Sequence, residues 1–173
     1  MGGAFSTMTE ILDGNAVAES VRADVAGAVD ELEASGVTPR LATVLMSTDP
    51  ASETYVSMKQ NDCEEVGIAT ADVELDADAP ADDLYDTIDD LNADDDVDGI
   101  LVQMPTPDHV DSGRVLRSLD PEKDVDGLHP ENIGRLVAGE TRYKPCTPHG
   151  VQVLLEEAGV DPEGKDAVVV GRS

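Results

Sequence analysis

The chain has no tryptophan, and three tyrosines and one phenylalanine are its only aromatic residues, 2% of 173 positions. Any core must therefore be aliphatic, and a hydrophobic content of 40% is enough to build one. Cysteine is equally scarce. Cys63 and Cys146 form neither a CxxC pair nor a disulfide framework, so a reducing cytoplasm is the expected setting. No stretch approaches the roughly 20 apolar residues that cross a bilayer, so no membrane partner is expected. The opening Met1–Met8 has no charged segment and no long apolar run, which reads against a signal peptide and leaves Met8 as a second candidate start. Basic residues are also few, 11 against 38 acidic, for a formal net charge of −27. Such a surface repels nucleic acid and anionic lipid, because neutralising phosphates takes a basic patch.

Acidic residues are what the chain has in excess. Between Asp72 and Asp98 stand thirteen Asp or Glu and no Lys or Arg. Disorder is one reading of such a run. Leu75, Leu84, Ile88 and Leu91 keep a regular apolar pattern inside it, which favours a folded protein adapted to high salt, where screening relieves self-repulsion. The length suits one domain, or one domain and the start of another.

Local patterns alternate. Val17, Val21, Val25, Ala28 and Leu32 recur at helical spacing and stop at Gly36. Leu41–Met46 predicts a buried strand. Asp49 followed by Pro50 predicts a helix start, with its end near Gly67. Ile68–Leu75 predicts a second strand, and Asp82–Asn92 a further helix. Gly99–Val102 is an unbroken apolar run of the kind found in a central parallel strand. Thr147-Pro148 opens a helix to about Ala158, and Ala167–Val170 reads as another buried strand. The alternation predicts a doubly wound α/β fold with parallel strands and helices on both faces.

Three places carry candidate chemistry. On the helix after Asp49 the inward stripe is Ser52, Val56, Lys59, Cys63 and Val66, which sets a lysine in an otherwise apolar face with Tyr55 one turn before it. Such a lysine either snorkels to water along its stem or is a partly desolvated proton carrier. Gln103 directly follows Gly99–Val102, and ligands of open α/β sheets lie beyond the carboxyl ends of strands. The loop after it, Met104-Pro105-Thr106-Pro107-Asp108-His109, is stiff enough for a pocket wall. Lys123-Asp124-Val125-Asp126-Gly127 offers two carboxylates two residues apart, by composition a solvated turn. It lacks the further ligands of a calcium loop, so no metal is expected. His109, His129 and His149 are not spaced as ligands, and Cys146 has no evident base or redox partner.

Taken in order, Asp-Pro-Ala-Ser-Glu-Thr-Tyr-Val-Ser-Met-Lys (49–59), Gly-Ile-Leu-Val-Gln-Met-Pro-Thr-Pro (99–107), Lys-Asp-Val-Asp-Gly-Leu-His-Pro-Glu-Asn-Ile-Gly-Arg-Leu (123–136), Pro-Cys-Thr-Pro (145–148) and Val-Val-Gly-Arg-Ser (169–173) resemble the FolD family. Its members are bifunctional methylenetetrahydrofolate dehydrogenase/methenyltetrahydrofolate cyclohydrolases. The likeness runs from about Ile11 to Ser173, with Ser47-Thr48 where the family usually has Gly-Asp. It implies that Tyr55 stacks on and orients the folate, Lys59 serves the cyclohydrolase step, Gln103 tunes that lysine, and Asp126 hydrogen-bonds the pterin. Substrate contacts are implied for Tyr55, Val56, Ser57, Met58, Lys59, Val102, Gln103, Met104 and Asp126. Gly171, Arg172 and Ser173 match the first phosphate-contacting turn for NADP. The implied organisation is a catalytic, folate-binding domain over residues 1–148 and the first helix and strand of a Rossmann-like NADP domain over 149–173, in a protein that is usually a homodimer. A complete nucleotide domain takes on the order of 100 further residues. The alternative is a non-catalytic folate-binding module, or an inactive fragment without its NADP domain.

Overall fold

The aliphatic run after Arg40 becomes the middle strand of a parallel sheet, with neighbours drawn from later in the chain. The computed structural model describes residues 11–170. Strands β1 (Arg40–Leu45), β2 (Ala69–Glu74) and β3 (Gly99–Val102) stand in the order β2-β1-β3, all parallel. Helices are α1 (Gly14–Ala34), α2 (Pro50–Val66), α3 (Ala81–Ala93), α4 (Ser112–Ser118), α5 (Pro130–Ala138) and α6 (Cys146–Glu157). The chain moves outward from β1 to β2 and then crosses back to β3. Right-handed crossovers therefore set α2 and α3 on opposite faces, which gives the doubly wound, three-layer arrangement.

Burial follows this topology. Ala42, Val44, Ile100 and Val102 point to one face and pack with Leu84, Tyr85 and Ile88 of α3 and with Val110, Val115 and Leu119. Each fully buried Leu or Ile there contributes about 1.5–3 kcal/mol relative to exposure. On the other face α2 buries Ser52, Val56, Cys63 and Val66, four of the five residues in its expected stripe. Lys59, the fifth, is half-buried. β2 is an edge strand, and its exposure alternates residue by residue. All thirteen acidic residues from Asp72 to Asp98 are exposed, while Leu84, Ile88 and Val97 among them are buried. The segment is folded.

Capping explains several helix ends. The Asp49 carboxylate accepts the Ala51 N–H at 3.0 Å, Pro50 opens α2, and Gly67 closes it in the left-handed conformation. The last carbonyls of α3 receive a side chain from far along the chain. Lys123 Nζ donates to the carbonyls of Leu91, Asn92 and Asp94 at 3.1, 2.9 and 2.7 Å, a cation at the negative end of the helix.

Several expectations are corrected. In α1 the buried residue is Val29, while Val21, Ala28 and Leu32 are exposed. The reason is that α1 lies on α2 instead of the sheet: Arg22 reaches Asp62 and Glu65 of α2, and Val29 sits against Gly67. Helices α4 and α5 were not expected. Both carry readable start signals, since Asp111 caps α4, His129 Nδ1 accepts from the Glu131 N–H at 3.1 Å, and Pro130 opens α5. Residues 167–170 form no strand: Val168, Val169 and Val170 are about 90% exposed, and no strand among the described residues pairs with them. An apolar run without a neighbour has no ladder to join. The expected phosphate turn, Gly171–Ser173, lies outside the described residues.

Candidate functional site

Beside β3, a cleft of about 580 Å³ opens between α2, the segment after β3, residues 125–128 and the start of α6, with Leu41 near the amino end of β1 in its lining. Gln103 and Asp126 stand toward the carboxyl end of β3, the side on which an open α/β sheet receives a ligand. Tyr55, Lys59, Gln103, Met104 and Asp126 line it together, over a floor that includes Leu41 and Leu101. Tyr55 is 58% exposed, so its ring forms an outer wall that a planar ligand can stack on.

Gln103 holds the centre. Its backbone N–H donates to the Val44 carbonyl at 2.9 Å, which continues the sheet by one residue and fixes the Cα. Its side-chain amide donates to the Met104 carbonyl at 2.7 Å. That bond orients the amide so that Oε1 faces Lys59, whose Nζ donates to it at 3.4 Å. The contact is long for a hydrogen bond, so the ammonium is steered but keeps donors free for a ligand. Lys59 is the only Lys or Arg in the described lining.

The two carboxylates of Asp-Val-Asp-Gly have separate fates. Ile100 donates its N–H to the Lys123 carbonyl at 2.7 Å and forms a parallel bridge with Asp124, so residues 123–126 run along the free edge of β3. Gly99 permits this approach: a Cβ there would lie 2.6 Å from Val125 Cγ1. Asp124 is 1% exposed and accepts the His129 N–H and the Asn132 side-chain amide, both at 2.8 Å. It is fully engaged in structure. Asp126, two residues on, reaches the end of the sheet and faces the cleft.

Other residues singled out from the sequence fall elsewhere. Val56 is 4% exposed under α2 and, with Ser57, lines a separate depression that also contains Ser47, Thr48, Glu53 and Gln60. Residues one and two positions after Tyr55 are turned about 100° and 200° around the helix, away from the cleft. Met58 is 55% exposed outside the cleft lining, and Val102 belongs to the core with α3.

Cys146 was given no role, yet it lines the cleft at the start of α6. Cys146 is exposed as a residue, but partial burial of its thiol raises it above the ordinary range, the charge of Asp126 adds to the rise, and Lys59 works against it. No local pattern shows this, because twenty residues separate Asp126 from Cys146. A raised thiol holds less thiolate at a given pH. Iodoacetamide at pH 8 is therefore expected to label Cys146 more slowly than free cysteine, as read by peptide mass spectrometry. Labelling as fast as the free thiol would contradict this environment.

Comparison with known proteins bears on this geometry. Residues 12–126 match the family model for the tetrahydrofolate dehydrogenase/cyclohydrolase catalytic domain. Bifunctional protein FolD 1 of Haloarcula marismortui is 71% identical over 166 residues, which is 96% of this chain and 56% of that protein. The solved FolD methylenetetrahydrofolate dehydrogenase/cyclohydrolase of Campylobacter jejuni is 41% identical with a TM-score of 0.90, over 95% of this chain and 58% of that one. The Trypanosoma brucei enzyme, solved with NADP cofactor and inhibitor, is 34% identical with a TM-score of 0.87, over 91% of this chain and 54% of its own. The chain thus spans little more than half the length of the relatives it matches.

Proposed function

The chain belongs to the tetrahydrofolate dehydrogenase/cyclohydrolase family, and from that premise we propose that its cleft binds 5,10-methylene- and 5,10-methenyltetrahydrofolate and supplies the proton carrier for hydrolysis to 10-formyltetrahydrofolate. The observation that carries this reading is the Lys59–Gln103 pair, set in one cleft with Asp126 and Tyr55.

Each residue has a task that its chemistry allows. The Tyr55 ring stacks on the folate and the Asp126 carboxylate accepts from the pterin's N–H donors, which together hold the one-carbon bridge over Lys59. Water adds to the methenyl carbon and loses a proton. The bond from that carbon to N5 then breaks: N5 gains a proton, the hydroxyl left on the carbon gives its proton to water, and the formyl group stays on N10 with one proton released overall. The proton lost on water addition and the proton gained by N5 both move within reach of one primary amine, which can take the first and give it back. Gln103 keeps that amine directed into the cleft. NADP, when bound, supplies the hydride acceptor for oxidation of the methylene bridge. The residues proposed to hold it, Gly171, Arg172 and Ser173, lie outside the described ones, so the part played here by the described chain is to hold the folate. The division at residue 148, a homodimeric assembly and a cytoplasmic setting belong to the same proposal. No described helix is long and apolar enough to cross a membrane.

Binding tests the assignment directly. Asp126→Ala is expected to weaken 5,10-methenyltetrahydrofolate binding by about 10- to 100-fold, the cost of unpaired pterin donors, with the circular dichroism spectrum unchanged. Titration in concentrated potassium chloride reads it. Unaltered affinity in a folded variant removes Asp126 from the site.

A further inference from the structure

The segment between α5 and α6, together with the first residue of α6, touches the 122–127 segment at four points. Arg142 pairs with Glu122, and the Tyr143 hydroxyl donates to the Glu122 carbonyl at 2.8 Å. Gly127, at φ +65°, lies so close to the Tyr143–Pro145 backbone that a Cβ would sit 3.1–3.2 Å from its atoms. The Cys146 thiol donates to the Val125 carbonyl, with sulfur and oxygen 3.7 Å apart. The first three contacts involve residues outside the cleft lining. The fourth lies in the cleft, where Cys146, Val125 and Asp126 line the same wall.

We infer that Cys146 is a positioning residue: its thiol clamps the Val125 carbonyl and thereby sets where the Asp126 carboxylate stands in the cleft. The clamp needs a group that keeps its proton, because only the thiol form donates. Partial burial of the thiol and the neighbouring Asp126 carboxylate favour the protonated form, although the residue as a whole is exposed. A smaller apolar side chain would leave the carbonyl of Val125 without that donor and let the turn carrying Asp126 relax. This role rests on the folate reading for its consequence in binding, but the clamp itself is a property of the unliganded chain.

Two readouts on the 173-residue chain separate these. The Gly127 N–H, bonded to the Asp124 carbonyl at 3.2 Å, reports the turn without any ligand. Cys146→Ala is expected to speed its hydrogen exchange about three- to tenfold, the worth of one net hydrogen bond, with amides of β1 and β3 unchanged. Cys146→Ser keeps a donor and is expected to restore exchange to within about twofold of the native rate. In the second readout, Cys146→Ala weakens 5,10-methenyltetrahydrofolate binding by a similar factor, but has no further effect when Asp126 is already alanine. Native exchange at Gly127 in Cys146→Ala overturns the clamp. Equal weakening by Cys146→Ala in both backgrounds overturns its action through Asp126. If the native chain binds no folate, the functional reading fails while the exchange rates still decide the clamp.

Discussion

Lys59→Ala is expected to slow ring opening of 5,10-methenyltetrahydrofolate by about 10²- to 10⁴-fold, the usual worth of a positioned acid–base group. The affinity for that folate should move by no more than about threefold. The split follows from the geometry. Tyr55 and Asp126 hold the ligand, whereas Lys59 is the only Lys or Arg in the described lining and donates only a long contact, to Gln103. Its removal takes away the group that moves the proton and leaves the groups that bind. Lys59→Arg is the informative companion. It keeps the positive charge, but a guanidinium does not release its proton near neutrality, so it should be as slow as the alanine variant. Hydride transfer from the methylene compound, measured beside ring opening where NADP is bound, should survive in part because it depends on positioning and not on a proton carrier. Equal loss of both activities with folate binding intact would contradict this division of labour. An active Lys59→Arg would mean that charge, and not proton exchange, is the contribution.

Asp124→Ala should do the opposite, leaving chemistry alone and striking the fold. Its carboxylate is buried, and it satisfies two donors, the His129 N–H that precedes α5 and the Asn132 side chain within it. Asn132 also donates to the Pro121 carbonyl at 2.9 Å, so one small network ties α5 to the strip of chain beside β3. Deleting the acceptor strands two donors, at about 1–3 kcal/mol each. A loss of about 2–4 kcal/mol of unfolding free energy is expected after partial relaxation, measured by urea denaturation at constant high potassium chloride. Both donors reach the same carboxylate oxygen, so Asp124→Asn, with its amide oxygen in that place, should lose less than half as much. A loss below about 0.5 kcal/mol for the alanine variant would show that water replaces the carboxylate without cost.

These two aspartates also mark the boundary of what the sequence makes legible. As residues they are equivalent, two positions apart in an acidic chain. They differ only because residues 123–126 pair along the edge of β3, which buries Asp124 and delivers Asp126 to the end of the sheet. Pairing between segments more than twenty residues apart has no local signature. The motif likeness, and not the physics of the segment, singled out Asp126. Cys146 failed for the same reason: its neighbours Val125, Asp126 and Lys59 all come from elsewhere in the chain.

Local patterns did better where one element decides the outcome. The stripe of α2 places Lys59 on a face that is otherwise buried, because helical spacing and two caps fix both the period and the phase. Gln103 is placed by the end of an apolar run that becomes β3. The motif likeness, not the helical pattern, implied substrate contacts at Val56 and Ser57, which as neighbours of Tyr55 in sequence lie on other sides of the helix and line a separate depression. The helical pattern misled in α1, whose phase is set by packing on α2. The apolar run at 167–170 shows the remaining limit, since composition gives strand propensity but supplies no partner.

The most direct test of the central claim is the rate at which the purified 173-residue chain opens 5,10-methenyltetrahydrofolate. The reaction is followed by loss of the methenyl absorbance in concentrated potassium chloride, beside a Lys59→Ala control. Acceleration over solvent that disappears in the control is the predicted result, because Tyr55, Lys59, Gln103 and Asp126 already meet in one cleft. No acceleration by a chain that is folded and binds the folate would contradict it, and would leave these residues as a binding module without the hydrolytic step.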